Sequence, residues 1–125
     1  ILPEADFMGV LYAACDAIVC RSGASSIAEI SLFQKYAFLI PYPFAADRHQ
    51  DDNAAVLEAT GAAMVISNDC FSREKALELL GSWLARQDEF RIFAQNGSYI
   101  ARPDATPDLL RLIQDYVVYG NRVSY

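Results

Sequence analysis

Histidine is almost missing from this 125-residue sequence, with His49 the only one. No serine or cysteine sits in a GxSxG-type setting, so a nucleophilic triad built around that imidazole has no support. Cysteine is scarce as well: Cys15, Cys20 and Cys70 are odd in number and show no CxxC spacing. They read as reduced, mostly buried thiols of a cytosolic protein. Long apolar runs are lacking. The uncharged stretch Tyr36 to Ala46 is too short to span a bilayer, and Pro41 and Pro43 interrupt it. Basic charge is short, with ten Lys and Arg against sixteen Asp and Glu and a net charge of −6. That balance excludes nucleic acid as a partner and disfavours an anionic membrane surface. The start at Ile1, with no initiator Met and no signal-peptide pattern, is expected of the interior of a longer protein.

What is present is apolar. Hydrophobic residues make up 54% and charged residues 21%, which excludes a disordered chain because burial can offset the entropy of ordering. The length suits a single domain. Three short, nearly continuous apolar runs, Ala17–Cys20, Ala37–Pro41 and Ala62–Ile66, have the length and pattern of strands buried on both faces of a parallel sheet. Helical signals lie before and between them. Phe7–Ala14 carries Met8, Leu11 and Tyr12, and Ser25–Gln34 carries Ile27, Ile30 and Phe33. Arg48–Thr60 places Ala54, Ala55 and Leu57 on one side, with Gly61 as its stop. After a polar turn at Ser67-Asn68-Asp69, Ser72 is expected to cap a helix with Ala76, Leu79, Leu80 and Trp83 along one stripe. A further helix spans Asp88–Gln95 and ends around Asn96-Gly97. Thr106-Pro107-Asp108 reads as N-cap, N1 proline and first-turn acid of a last helix carrying Leu109, Leu112, Ile113 and Tyr116. Strand and helix alternate over short connections, the pattern of βαβ units in an α/β, Rossmann-like sheet. The tail from Tyr119 to Tyr125 fits no pattern.

In such sheets ligands sit outside the carboxyl ends of the strands. The first strand is followed by Arg21-Ser22-Gly23-Ala24-Ser25-Ser26, a small turn opening into a helix. Close backbone approach and a positive helix end favour phosphate or diphosphate there. Glu29 lies one turn deeper and has two readings. Ser26-x-x-Glu29 matches a capping box, which the spacing favours, and the carboxylate could instead accept from two vicinal ribose hydroxyls. After the second strand, Asp47 is a candidate N-cap, and His49, Gln50 and Asn53 share the first turns of the next helix. Their donors and acceptors suit sugar hydroxyls, or equally a solvated helix start. Asp47, His49, Asp51 and Asp52 match no metal-ligand spacing.

Taken in order, Asp16-Ala-Ile-Val-Cys-Arg21-Ser-Gly-Ala-Ser-Ser-Ile-Ala-Glu29, Ile40-Pro41-Tyr42-Pro43, Asp47-Arg48-His49-Gln50 with Asn53-Ala54, Gly61-Ala62-Ala63 and Pro103-Asp104-Ala105-Thr106 resemble the MurG glycosyltransferases from Asp6 to Val117. The resemblance implies a GT-B enzyme of two Rossmann-like domains. Residues 1–118 would be the later part of its C-terminal, UDP-sugar-binding domain, with 119–125 as a tail. It implies inverting transfer of N-acetylglucosamine from UDP-N-acetylglucosamine to lipid I, giving lipid II for peptidoglycan, without a required metal. Glu29 then resembles the acid that holds the ribose. Arg21, Ser22, Gly23 and Ala24 resemble the turn against the diphosphate and sugar, and Gln50 and Asn53 the amides that read the sugar. Ala5 and Met8 fall where the uracil is met. The acceptor base, the lipid I contacts and the cytoplasmic-face membrane contact belong to the other domain, so this stretch alone is expected to catalyse nothing. His49 replaces a glutamine of the family, Asp51-Asp52 a pair often aromatic, and Pro3-Glu4-Ala5 an apolar approach. Arg21 and Arg48 would have to offset the two added acids. The competing expectations are a separate donor-binding subunit of a split transferase and a non-catalytic nucleotide-binding module.

Overall fold

The computed structural model describes residues 6–44 and 48–119. Its element order is α1 (Met8–Ala14), β1 (Ala17–Cys20), α2 (Ala24–Phe33), β2 (Tyr36–Leu39), α3 (His49–Ala59), β3 (Ala63–Val65), α4 (Arg73–Ala85), α5 (Gln87–Gln95) and α6 (Ala105–Tyr119). The three strands form one parallel sheet in the order β1-β2-β3, with Ala17 opposite Tyr36 and Leu39 opposite Val65. Two successive crossovers of the same hand place their helices on the same face. Accordingly Ala37 and Leu39 of β2 pack with Ile27 and Ile30 of α2 and Ala54 and Leu57 of α3. Tyr36, Phe38 and Ile40 pack on the opposite side with Leu79 of α4 and with Phe90 and Ala94 of α5. Both faces of β2 are thus covered, which is why its sequence runs apolar without alternation.

The second and third strands are shorter than the apolar runs that announce them. Ile40 and Ile66 lie past the strand ends, yet their N–H groups still donate to Cys20 O and Leu39 O, at 2.9 and 2.8 Å. Ser72 caps α4 as expected, its Oγ accepting from the Lys75 N–H at 3.2 Å. Gly61 ends α3 at φ +82°, its N–H donating to Glu58 O at 2.8 Å. A Cβ there would meet Asn96 Nδ2 at 3.6 Å, an ordinary contact, so the cost of a side chain is conformational. Gly61→Ala is expected to lower stability by about 1–2 kcal/mol, read as a shift of the urea midpoint at unchanged slope.

Six expectations are corrected. Val19 of β1 and Met64 of β3 are exposed, so only β2 is buried on both faces. Leu80 of the expected α4 stripe is exposed. Ala55 is exposed, and only Ala54 and Leu57 of its stripe are buried. Thr106 does not cap α6, because the helix already begins at Ala105 and places Thr106 and Pro107 within its first turn. The apolar α6 stripe Leu109, Leu112, Ile113 and Tyr116 is exposed, and α6 runs on through Tyr119. The cysteines are less sheltered than expected, with Cys15 and Cys20 half-buried and Cys70 exposed. Among the described residues no helix is long and apolar enough to cross a membrane.

Candidate functional site

All three strands are parallel, so their carboxyl ends share one edge, and the turn after β1, the loop after β2 and the start of α3 meet there. Ser22 joins them. It is fully buried, its Oγ donates to the Gln50 carbonyl at 2.7 Å, and its own carbonyl accepts from Asn53 Nδ2 at 3.1 Å. Gln50 Oε1 in turn accepts from the Tyr42 N–H at 2.9 Å. Each main-chain partner has a single polarity, so both amides are oriented unambiguously. Gln50 can offer its Nε2 as a donor to a ligand, and Asn53 its Oδ1 as an acceptor. A donor beside an acceptor is the pattern that a row of sugar hydroxyls demands.

Gly23 is the N-cap of α2, in extended conformation at φ −64° and ψ 149°, and no side chain caps that end. A Cβ added at Gly23 would meet nothing closer than Ser26 Oγ at 4.0 Å. Among the described residues the space at the helix tip is therefore open, leaving the first-turn N–H groups and positive dipole end of α2 without a side-chain cap. This corrects the capping-box reading. Because Gly23 is the N-cap, Ser26 falls inside the first turn, three residues too deep to cap it, and Glu29 is not drawn back to the cap. The half-buried Glu29 lies instead beside the buried Tyr12 hydroxyl, with the Ser26 hydroxyl also at hand. Burial first, and then the Glu29 carboxylate, push the Tyr12 phenol up to about 12. At neutral pH it keeps its proton and faces Glu29 as a donor. The outer side of Glu29 borders a hollow of about 220 Å³ lined also by Leu32, Ile100 and Arg102.

Met8 opens α1 and lines a groove of about 440 Å³ with Leu11, Tyr12, Cys20 and Ser26. It therefore lies on the same flank of α2 as Tyr12 and Ser26. Burial pushes the Cys20 thiol up to about 11, so it is protonated at neutral pH and acts as a wall of the groove rather than as a nucleophile. His49 is the exposed first residue of α3. Ala5 and Asp47 lie outside the described residues, and the residue before α3 is Arg48, at φ 58°. Arg48 Nε pairs with Asp51 at 3.1 Å on the surface, so it offsets one of the two added acids locally. Among the described residues no group of three or more His, Cys, Asp or Glu gathers as metal ligands.

The structure thus gathers Ser22, Gly23, Ala24, Gln50 and Asn53 around one tip, with Glu29 and Met8 along the flank of the same helix. Sequence reasoning missed three partners of these residues. Tyr12 reads as a core position of a helical stripe, Tyr42 takes part through its main chain, and Asn68 lies 47 residues from the Arg21 it meets. No linear spacing signals any of them.

Residues 2–94 match the Glycosyltransferase family 28 C-terminal domain. The chain belongs to this family. Among curated relatives, the UDP-N-acetylglucosamine--N-acetylmuramyl-(pentapeptide) pyrophosphoryl-undecaprenol N-acetylglucosamine transferases of Burkholderia cenocepacia and Burkholderia multivorans are each 36% identical over 114 residues. Each alignment covers 90% of this chain and 30% of the relative. The crystal structure of Acinetobacter baumannii MurG superposes with a TM-score of 0.79 at 32% identity, over 91% of this chain and 33% of that one. The family 28 chain described here therefore spans about a third of the length of these relatives. The likeness extends through the Rossmann-like sheet of a GT-B glycosyltransferase, and the family match over residues 2–94 spans the described site residues.

Proposed function

We propose that this family 28 chain forms the donor-binding part of an enzyme that transfers N-acetylglucosamine from UDP-N-acetylglucosamine to lipid I with inversion, producing lipid II. The observation that carries the reading is the open, uncapped tip of α2 at the carboxyl edge of the sheet, with Glu29 one turn deeper and two oriented amides beside it. The diphosphate sits on the tip, where the Gly23 turn admits close backbone approach. Glu29 accepts from the ribose hydroxyls, and the groove bordered by Met8 lies toward the uracil.

Gln50 and Asn53 read the sugar hydroxyls, and His49 adds an imidazole at the start of the same helix. As the acceptor hydroxyl attacks the anomeric carbon, charge builds on the departing UDP. The fixed N–H groups of the helix tip stabilise it without reorganising, so no metal is assigned to the step. The base that takes the acceptor proton, the lipid I contacts and attachment at the cytoplasmic face of the inner membrane are assigned to residues outside this chain.

Titration calorimetry of the full-length protein with UDP-N-acetylglucosamine, paired with transfer of labelled N-acetylglucosamine to lipid I, tests the reading. Saturable donor binding and a labelled lipid II product are expected. Absence of donor binding would sink it.

A further inference from the structure

Arg21 is the first residue past β1, and the simplest reading of a cation there is a contact with the donor's diphosphate. Its hydrogen bonds point elsewhere. Three acceptors converge on Nη1: the carbonyls of Ile40 and Pro41, each at 3.0 Å, and Asn68 Oδ1 at 2.8 Å. The first two belong to the chain leaving β2, and the third to the turn that follows β3. The guanidinium also lies over the Tyr42 ring, 5.5 Å from its centroid. Tyr42 is the residue whose N–H holds Gln50 Oε1, while Ser22, next to Arg21, holds the Gln50 carbonyl. Two consecutive residues of the first turn thus fix Gln50 from both ends, Ser22 directly and Arg21 through Tyr42.

We infer that Arg21 is a positioning residue for sugar selectivity, clamping the Pro41–Tyr42 segment so that Gln50 presents its amide donor to the donor sugar. The inference rests on the donor-binding reading and deepens it. A planar guanidinium can gather several oxygens in one plane and stack on a ring. A lysine supplies the charge without the fork or the stack. Charge and positioning are therefore separable by substitution.

The test uses the full-length protein, with dissociation constants for UDP, UDP-N-acetylglucosamine and its 4-epimer UDP-N-acetylgalactosamine. Arg21→Lys and Arg21→Gln are both expected to shrink the ratio of the two sugar-nucleotide constants by roughly fivefold or more, the equivalent of one ordinary hydrogen bond. UDP alone should weaken by much less. An unchanged epimer ratio in both variants would overturn the inference. So would a UDP affinity that collapses in Arg21→Gln and returns in Arg21→Lys, the signature of a direct charge contact. Asn68→Ala removes one acceptor from outside the turn and serves if the arginine variants do not fold. A reduced epimer ratio is expected there too, and an unchanged one overturns the clamp. Failure of the wild-type protein to bind any of the three ligands would instead reject the donor-binding reading itself.

Discussion

Replacing Glu29 with alanine in the full-length protein is expected to weaken UDP-N-acetylglucosamine binding by at least about tenfold. The carboxylate can accept two hydrogen bonds from vicinal ribose hydroxyls, and hydrogen bonds to a charged group contribute roughly 1.5–3 kcal/mol each. Part of that is recovered by water in the variant, so tenfold is the lower bound of the expected loss. The fold should tolerate the change, because Glu29 is half-buried, no side chain caps α2, and the Ser26 hydroxyl remains beside the Tyr12 hydroxyl that loses Glu29 as a partner. A thermal midpoint close to wild type checks this. The sharper comparison uses a donor lacking the ribose 2′-hydroxyl. Wild type should lose affinity for it, whereas the alanine variant should scarcely distinguish the two donors. If the variant binds the natural donor as tightly as wild type does, Glu29 does not grip the ribose.

Why Glu29 could be read in two ways from sequence is instructive. Ser26-x-x-Glu29 has the spacing of a capping box, and spacing is all that a linear pattern offers. The outcome turns on Gly23, whose extended conformation starts the helix three residues earlier and leaves Ser26 inside it. Helix starts are set by backbone dihedrals that several residues near a turn can adopt, so the pattern alone cannot choose among them. The sheet was far more legible. Tyr36, Phe38 and Ile40 face one layer of helices and Ala37 and Leu39 the other, so β2 had to be apolar throughout, and that is visible in the sequence.

Gly61 was legible for a related reason, since a left-handed stop strongly favours glycine. The stripe on α6 misled because amphipathic periodicity states that a face is to be covered without saying by what. Within the described residues, Leu109, Leu112, Ile113 and Tyr116 remain exposed. Arg21 was legible only in part. A cation beside a phosphate-type turn reads as a ligand contact, and the oxygens that engage its Nη1, from segments 19 to 47 residues away, leave no linear signal.

The largest loss of stability is expected at Phe38. It lies in the central strand, only 2% exposed, with the Tyr36 ring at 5.4 Å and the Phe90 ring at 6.2 Å between centroids. It therefore links the sheet to α5 on the face opposite α2 and α3. Phe38→Ala removes a whole ring from a layer bounded by main chain on one side and by a helix on the other, so the space cannot close fully. A loss of roughly 3–5 kcal/mol is expected, a large share of the about 5–15 kcal/mol that holds a domain folded. Equilibrium urea unfolding checks it, with Leu80→Ala on the exposed side of α4 as the control. That change should move stability by no more than about 0.5 kcal/mol. The two values together test the layer assignment. If Leu80→Ala costs as much as Phe38→Ala, α4 presents its other side to the sheet, and the arrangement of helices that supports the strand ends at the donor edge is wrong.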